Sequence, residues 1–382
     1  MKIGIVGAGH AGIAAAQEAV KSGAEVTLFS EEGFLPYYRP RITSVAFLQS
    51  GENDIFMHPK GWYLDNKITL VLGTKIVKVN TTEISLTSEH GEYYRFDKII
   101  IATGAKPIVP PFAEALVLQG KVSPLWTIQD ALTIRGKISS IKNIVVVGGG
   151  AIGIESALRA LDAGLNVSII EKAPSLMIRN LSPKASYTLS NILKTKGIKL
   201  IMNEAIEEVH EKNNGVEIET SSGGKIYAEL VLLSIGGAPN TKIAGLPKLA
   251  MERGLEVDFQ TKTQSPNLFA AGDAAIFKNI QPYCSALKAN GQGKVAGFNA
   301  VKNDNFVEYK PSAIAVELKF KNFELHSIGF TKEENNKKEE VIEESAATYR
   351  SVTKRNDDIL GIQMVGSGKD FITYKKQLKE EF

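Results

Sequence analysis

A glycine-rich fingerprint occurs twice in this sequence of 382 residues, and glycines at this spacing can hold a dinucleotide. The first copy covers residues 7–12 and follows the apolar run 3–6, and the second covers residues 148–153 and follows the run 144–147. In such a motif a buried strand ends in a tight turn, the backbone approaches a pyrophosphate closely, and a helix N-terminus faces the anion. One short glycine pattern arises easily by chance, but two copies in this context indicate two dinucleotide sites. The natural pair is a bound flavin and a diffusible nicotinamide coenzyme.

Acidic residues follow each fingerprint where a carboxylate can accept a hydrogen bond from a ribose hydroxyl. Glu31 and Glu32 come about 20 residues after the first glycines, behind a predicted second strand. Glu171 directly follows the strand predicted over residues 166–170. A carboxylate there binds a free 2′-hydroxyl and repels a 2′-phosphate, which favours NADH over NADPH, although Lys172 weakens that preference because it could swing toward a phosphate.

Composition is that of a soluble globular protein with two or three domains. The net charge of +3 is small and spread out, so it favours neither a nucleic acid nor a membrane surface as partner. Gln17 and Glu18 interrupt the apolar N-terminus, which argues against a secretion signal, and no run is long enough to span a bilayer. The single cysteine, Cys284, excludes an internal disulfide and fits a reducing cytoplasm, and we expect it to be a small buried residue.

The strand and helix patterns predict an α/β protein in four segments. Residues 1–111 begin a first nucleotide-binding domain, residues 112–236 form a second one inserted into it, residues 237–305 return to the first, and residues 306–382 form a small α+β C-terminal domain. Two further segments have recognisable patterns. The runs 69–79, 83–87 and 93–96 predict a small antiparallel excursion in the first domain. The charged stretch 332–344 reads as a solvated loop or helix face, with a docking surface as the alternative.

Residues 1 to about 305 resemble the two-dinucleotide flavoproteins of the disulphide-reductase superfamily, and more closely the NADH:rubredoxin oxidoreductases and the ferredoxin reductases of oxygenase systems. The two fingerprints and the segments 102–104, 235–240 and 271–273 carry this resemblance. The segment 34–41 is similar to the rubredoxin-reductase type in particular. The resemblance implies two Rossmann-like domains, the first holding FAD and the second holding NADH.

The resemblance also implies the residues at each site. In the first domain Glu31 or Glu32 would lie near the adenosine ribose, Ile76 would face the adenine, and Asp273 would bind the ribityl chain. The full set implied for FAD is Gly7, Gly9, Gly12, Glu31, Glu32, Arg39, Ile76, Thr103, Gly104, Gly272 and Asp273. The set implied for the nicotinamide coenzyme is Gly148, Gly150, Ile152, Gly153, Glu171 and Gly236. The helix that begins near residue 286 would direct its N-terminal N–H groups at the flavin pyrimidine, where reduced flavin carries negative charge.

Glu155 is the candidate residue for the flavin edge. In relatives the matching carboxylate lies by the flavin N5 and pairs with a lysine shortly after an Arg-Pro, and here that lysine position is Ser44. Arg39 or Arg41 could supply the cation instead, so we predict Glu155, Arg39 and Arg41 as the catalytic set. The alternative is an exposed or capping glutamate on a helix.

Thiol chemistry is excluded because disulphide reductases of the two-cysteine type need a second sulfur, and residues 42–47 lack the cysteine of single-cysteine relatives. Electrons must therefore leave the flavin directly. We predict an enzyme that passes electrons from NADH through FAD to a small iron protein, most specifically rubredoxin. The alternatives are an NADH oxidase that reduces oxygen and a redox-sensing partner subunit. Monomer and homodimer are both open.

The histidines have no ligand spacing, so we predict no metal site and expect each to lie in a loop or on the surface. They are His10, His58, His90, His210 and His326.

Overall fold

A computed structural model gives the fold, and it describes residues 1–246, 254–278, 283–302, 304–332 and 336–379. The chain forms two compact units. The first consists of residues 1–42, 50–107 and 236–311, and the second consists of residues 43–49, 108–235 and 312–382. The C-terminal residues thus fall into the same unit as the second fingerprint.

The strands are short, and those at the centre of the two parallel sheets are mostly buried. In chain order they are β1 (Lys2–Val6), β2 (Glu25–Phe29), β3 (Ile68–Val71), β4 (Ile76–Asn80), β5 (Ser85–Ser88), β6 (Tyr93–Arg95), β7 (Lys98–Ile101), β8 (Ala105–Pro107), β9 (Val122–Ser123), β10 (Asn143–Val147), β11 (Asn166–Glu171), β12 (Lys199–Met202), β13 (Ile206–Lys212), β14 (Gly215–Thr220), β15 (Lys225–Ala228), β16 (Leu230–Leu233), β17 (Gly237–Pro239), β18 (Leu255–Val257), β19 (Leu268–Ala270), β20 (Ala275–Phe277), β21 (Ala315–Phe320), β22 (Phe323–Gly329), β23 (Lys338–Glu344), β24 (Tyr349–Arg355) and β25 (Asp358–Gly366).

The α-helices of the described residues are α1 (His10–Lys21), α2 (Ile42–Ala46), α3 (Lys60–Asp65), α4 (Glu114–Leu118), α5 (Ile128–Lys137), α6 (Ala151–Asp162), α7 (Pro183–Thr195), α8 (Ala286–Val301) and α9 (Phe371–Gln377). Short 3-10 turns cover Arg39–Arg41, Asn53–Ile55, Pro111–Ala113, Ile138–Ser140 and Gly272–Ala274.

The first unit is built on a parallel sheet in the order β19-β7-β1-β2-β3. Its inner strands β1 and β7 are rich in isoleucine and valine, because a parallel sheet is covered on both faces. Helices α1 and α8 pack closely together. Gly293 and Gly297 of α8 face the backbone of Ala11 and Ala15, so that an added Cβ would collide with their carbonyl oxygens.

The antiparallel excursion is confirmed for β4-β5-β6, but its first part is assigned wrongly by the sequence. Residues 69–79 are not one strand. β3 pairs in parallel with β2 as the outer strand of the main sheet, and β4 begins only at Ile76. Gly73, with a φ of +62°, lies in the turn that separates the two strands, and neither run alone reveals which sheet it joins.

The second parallel sheet repeats the first in the order β12-β11-β10-β16-β9. The chain leaves the first unit after β8 and returns to it at β17, and these two strands pair antiparallel with each other. The predicted fold class is therefore confirmed, with a second Rossmann-like fold inserted into the first.

The C-terminal residues form an antiparallel sheet in the order β21-β22-β25-β24-β23, with helix α9 packed against β25. In the stretch 332–344, residues 333–335 lie outside the described residues, and residues 338–344 form strand β23 rather than a loop or helix, although most of their side chains are exposed as expected. Its glutamates resemble a solvated face in the sequence, and only pairing with β24 shows that Glu339 points inward. Across the described residues, the α-helices are all too short or too polar to traverse a membrane.

The close approach of α1 and α8 predicts an asymmetric response to alanine. Gly297→Ala places a methyl group against the Ala15 carbonyl oxygen, so the free energy of unfolding should fall by about 1–3 kcal/mol. Gly136→Ala in α5 is the matched control, because its Cβ enters open space and alanine favours a helix by up to about 1 kcal/mol. Thermal unfolding followed by circular dichroism measures both, and equal melting temperatures for the two variants would contradict the packing described.

Candidate functional site

The first fingerprint forms a turn that only glycine permits. Gly7 has a φ of +106°, and an added Cβ would collide with the Ala102 carbonyl oxygen at the end of β7. Gly12 in the first turn of α1 packs directly onto the Gly7 carbonyl oxygen. Gly9 is different, because a Cβ there would meet no protein atom within 4 Å. The turn is thus closed on its protein side and open at the residue that precedes the N-terminus of α1.

The second fingerprint has the same construction. Gly148 has a φ of +108° and lies against the Ser234 carbonyl oxygen, and Gly153 packs onto the Gly148 carbonyl oxygen. Gly150, the residue that precedes α6, again has open space on its Cβ side. Ile152 follows in the first turn of α6 with an exposed side chain. Both cradles therefore offer backbone N–H groups of a helix N-terminus to an anion.

Polar residues gather beside the first fingerprint after β2. Glu32 accepts hydrogen bonds from the Tyr37 hydroxyl at 2.7 Å and from Arg39 at 2.8 Å. Glu31 makes an exposed ion pair with Lys75. Arg39 and Glu32 hold each other at the place where the sequence predicts a ribose contact, which leaves Glu31 the more solvated of the two acids.

Other predicted residues lie at the ends of neighbouring elements in the first unit. Thr103 donates a 2.6 Å hydrogen bond to the Asn240 carbonyl, and Gly104 follows it with a φ of +69° and open space at its Cβ side. Ile76 is buried at the start of β4. Arg41 donates to the Asp54 carbonyl. Gly236 has a φ of +104° at the point where the chain re-enters the first unit.

Asp273 carries the clearest sign of a polar ligand. It lies in the 3-10 turn that follows β19, and its buried Oδ1 has no hydrogen-bond partner among the described residues. Gln292 binds the Gly272 N–H at 2.7 Å, yet its Nε2 also lacks a partner. The Lys288 ammonium lies 3.5 Å from Asp273 Oδ1. Unsatisfied buried polar atoms are costly, so these groups fit a ligand with hydroxyl and carbonyl groups, as the ribityl chain and ring of FAD would provide.

Glu171 ends β11 and already acts as an acceptor for backbone amides. Its Oε2 accepts from Gly149 N at 2.5 Å, and its Oε1 accepts from Ala173 N at 2.7 Å. These bonds fix the carboxylate beside the second fingerprint, in the position where the sequence predicts a ribose contact.

Glu155 in α6 has a cation partner that the sequence reasoning missed. Arg159, one turn later, binds Glu155 Oε1 through Nε at 3.0 Å and through a terminal nitrogen at 2.9 Å. Thr43 donates to the same oxygen at 2.7 Å. Arg159 also donates to the Gln49 side chain and lies 5.4 Å from the centre of the Phe320 ring in β21. The i, i+4 spacing is the signal that could have identified this pair.

The cation paired with Glu155 is therefore Arg159, whereas Arg39 pairs with Glu32. The catalytic roles assigned to Glu155, Arg39 and Arg41 stay predictions.

His10 was expected in a loop or on the surface, but it is the first residue of α1. Burial, with a smaller effect of the Arg39 guanidinium, lowers the pKa of His10 to about 4. The imidazole is therefore neutral at neutral pH, next to the turn of the first fingerprint. The sequence feature that could have indicated this position is that His10 lies inside the fingerprint, where the helix begins. Within the described ranges, the histidine, cysteine and acidic side chains form no cluster that could hold a metal ion.

Cys284 was expected to be buried, and the structure shows that this was wrong, since its side chain is exposed. It lies just before α8, at the edge of the site that contains Asp273. Neighbouring protein atoms still desolvate the sulfur, and the Asp273 carboxylate adds negative charge. Together they raise the pKa of the Cys284 thiol to about 12.

Comparison with known proteins assigns the chain to a family. Residues 1–293 match the model of the pyridine nucleotide-disulphide oxidoreductases, so the chain belongs to that family. It is 34% identical over 291 residues to a rubredoxin-NAD(+) reductase of Pseudomonas putida, covering 73% of each chain. It is 30% identical over 345 residues to an NADH-rubredoxin oxidoreductase of Clostridium acetobutylicum, covering 89% of this chain and 84% of that protein.

Among solved structures, the covalent putidaredoxin reductase–putidaredoxin complex has the same fold. The TM-score is 0.87 at 21% identity, over 98% of this chain and 92% of that one. The protein is thus an oxidoreductase of the rubredoxin-reductase type, and its cofactors are FAD and a pyridine nucleotide.

The raised pKa of Cys284 predicts slow alkylation despite exposure. Thiolate is the reactive form, and below the folded-state pKa its fraction rises about tenfold for each pH unit. At pH 8 the thiolate fraction should be roughly a thousandfold below that of a thiol with the ordinary value of 9.0. Iodoacetamide labelling followed by mass spectrometry measures this, with the guanidinium-unfolded chain as control. Equal labelling rates for the folded and unfolded chains at pH 8 would contradict the assignment.

Proposed function

We propose that this protein is an NADH:rubredoxin oxidoreductase in which the first unit holds FAD and the second binds NADH. Gly7, Gly9 and Gly12 would hold the FAD pyrophosphate through the turn and the N-terminus of α1. Asp273 Oδ1 and Gln292 Nε2, which have no hydrogen-bond partner among the described residues, would bind the ribityl chain and the flavin ring. When bound, FAD supplies two-electron acceptance from a hydride and one-electron release.

The observation that carries this proposal is that Cys284 is the one cysteine of the sequence. The sequence contains one cysteine, so no dithiol can form within the chain. That cysteine lies beside Asp273, which helps to keep it a thiol rather than a thiolate. Without a second cysteine, and with no cysteine in residues 42–47, electrons would pass directly from the flavin to an external acceptor. Relatives named for rubredoxin support a small iron protein as that acceptor.

The coenzyme choice in this proposal is NADH rather than NADPH. Glu171 is held next to the second fingerprint by the amides of Gly149 and Ala173, so its charge is fixed rather than mobile. A fixed carboxylate accepts from a ribose 2′-hydroxyl and repels a 2′-phosphate. Lys172 is exposed, and solvent screening weakens its attraction for a phosphate.

The acceptor assignment predicts two fast steps in an anaerobic stopped-flow experiment. Mixing the FAD-loaded protein with NADH should bleach the flavin, and mixing the reduced protein with rubredoxin should restore its colour. The second rate should rise in proportion to rubredoxin concentration and fall with added salt, because acidic carriers are steered by charge. Reoxidation no faster with rubredoxin than in air-saturated buffer would contradict the proposal, and rapid turnover in air alone would favour an NADH oxidase.

The coenzyme assignment predicts the effect of Glu171→Gln. The amide loses the charge and keeps only one of the two acceptor oxygens that bind Gly149 N and Ala173 N, so kcat/KM for NADH should fall relative to that for NADPH. The NADH/NADPH preference should drop by about tenfold, since the change removes one charge-assisted contact. Lys172→Ala removes a positive charge instead, so it should increase the preference for NADH over NADPH. Steady-state kinetics with both coenzymes measures the ratio, and an unchanged ratio in Glu171→Gln would show that another residue decides it.

A further inference from the structure

The loop between β11 and α7, residues 172–182, lies over the second fingerprint. Met177 N donates to the Gly149 carbonyl at 2.8 Å, and a Cβ on Gly149 would meet Leu176 and the Glu171 side chain. Glu171 binds both Gly149 and Ala173. The loop, the fingerprint and the acidic residue therefore form one structure, and a shift of the loop would move Glu171 relative to Gly149.

The C-terminal sheet holds this loop from the other side. The Ser327 hydroxyl of β22 donates a 2.5 Å hydrogen bond to the Asn180 carbonyl. Gln363 of β25 accepts a 2.6 Å hydrogen bond from the backbone N–H of Ser182, the N-cap residue of α7. Ser182, Ser327 and Gln363 are all at most 2% exposed. Water cannot replace these bonds without opening the packing between the sheet and the loop.

Glu339 of β23 fixes the residues that reach the loop. Its Oε1 accepts from Ser182 Oγ at 3.0 Å and from Gln363 Nε2 at 2.9 Å, which links the loop to the sheet a second time. The Ser351 and Tyr349 hydroxyls donate to the same oxygen at 2.7 and 2.8 Å. A buried network with this many satisfied donors is rigid and specific in geometry.

We propose that Ser327, Glu339 and Gln363 are positioning residues for the nicotinamide coenzyme. They hold the loop 172–182 in the conformation that presents Glu171 to the coenzyme ribose. This role rests on the proposed function, because it takes the second fingerprint to be the NADH site. The C-terminal sheet then contributes to coenzyme binding without any contact with FAD or with the electron acceptor.

The physical reason is the cost of ordering a loop. The loop contains Met177 with a φ of +49°, a conformation that a non-glycine residue adopts only when its surroundings enforce it. A loop that is already ordered loses little conformational freedom when a ligand binds, whereas a loosened loop must be ordered at the expense of affinity. Loss of either C-terminal hydrogen bond should therefore weaken coenzyme binding without altering the electron-transfer chemistry.

The test compares Ser327→Ala and Gln363→Met with Thr353→Val. Thr353 is the matched control, because it is fully buried in β24 of the same sheet and its hydroxyl has no hydrogen-bond partner. The FAD-loaded proteins are titrated with NAD⁺, a ligand that cannot reduce the flavin, in a calorimeter. Hydrogen exchange of the amides in residues 172–182 and steady-state kinetics with NADH are measured on the same samples.

We expect the Kd for NAD⁺ to rise about three- to tenfold in Ser327→Ala and Gln363→Met, the effect of one hydrogen bond. Exchange in the loop should speed up, KM for NADH should rise, and kcat at saturating NADH and the FAD content should stay at wild-type values. Thr353→Val should match the wild type in every measurement.

Unchanged affinity and exchange in folded Ser327→Ala would overturn the inference, as would equal weakening by Thr353→Val, which would indicate general destabilisation. Should Gln363→Met fail to fold, the milder serine variant still decides. A wild-type protein that does not bind NAD⁺ would instead refute the proposed function, and the two failures are thereby distinguished.

Discussion

The whole protein depends on one steric constraint, the absence of a Cβ where a helix meets the end of a strand. At Gly12 and again at Gly153, the first helical turn rests on the carbonyl oxygen of the turn glycine. Any side chain there would push the helix N-terminus away from the strand end and spoil the arrangement that faces an anion. The same constraint, satisfied twice, gives one chain two dinucleotide cradles, and the rest of the fold holds the residues that give each cradle its selectivity.

Around this shared frame the two cradles differ in their polar residues. In the first, buried polar atoms of Asp273 and Gln292 have no hydrogen-bond partner among the described residues, which suits a cofactor that stays bound. In the second, backbone amides hold the Glu171 carboxylate and the space beside Gly150 is open, which suits a coenzyme that binds and dissociates. The C-terminal sheet belongs to the second arrangement, because its Ser327 and Gln363 reach the loop after Glu171.

Much of this architecture could be predicted from local sequence. The fingerprints, the buried strands and the insertion of one fold into the other follow from glycine spacing and from apolar runs. The partner of Glu155 could not be found by family resemblance, because the usual lysine is Ser44 here and the cation comes from Arg159 on the same helix. Strand β23 was missed for a different reason: most of its glutamates are exposed, and only Glu339 is half-buried among the hydroxyls that bind it. The error at β23 concerns a charged side chain whose hydrogen-bond partners lie on other strands, whereas the pair of Glu155 and Arg159 is local to one helix.

The central claim is that one chain holds FAD in its first fold and receives hydride from a pyridine nucleotide in its second. An anaerobic titration of the purified, FAD-reconstituted protein with NADH tests it most directly. The account predicts a visible flavin band that is bleached by about one equivalent of NADH per flavin, as a two-electron transfer requires. A protein that takes up no flavin, or whose flavin band is unchanged by an excess of both NADH and NADPH, would contradict it.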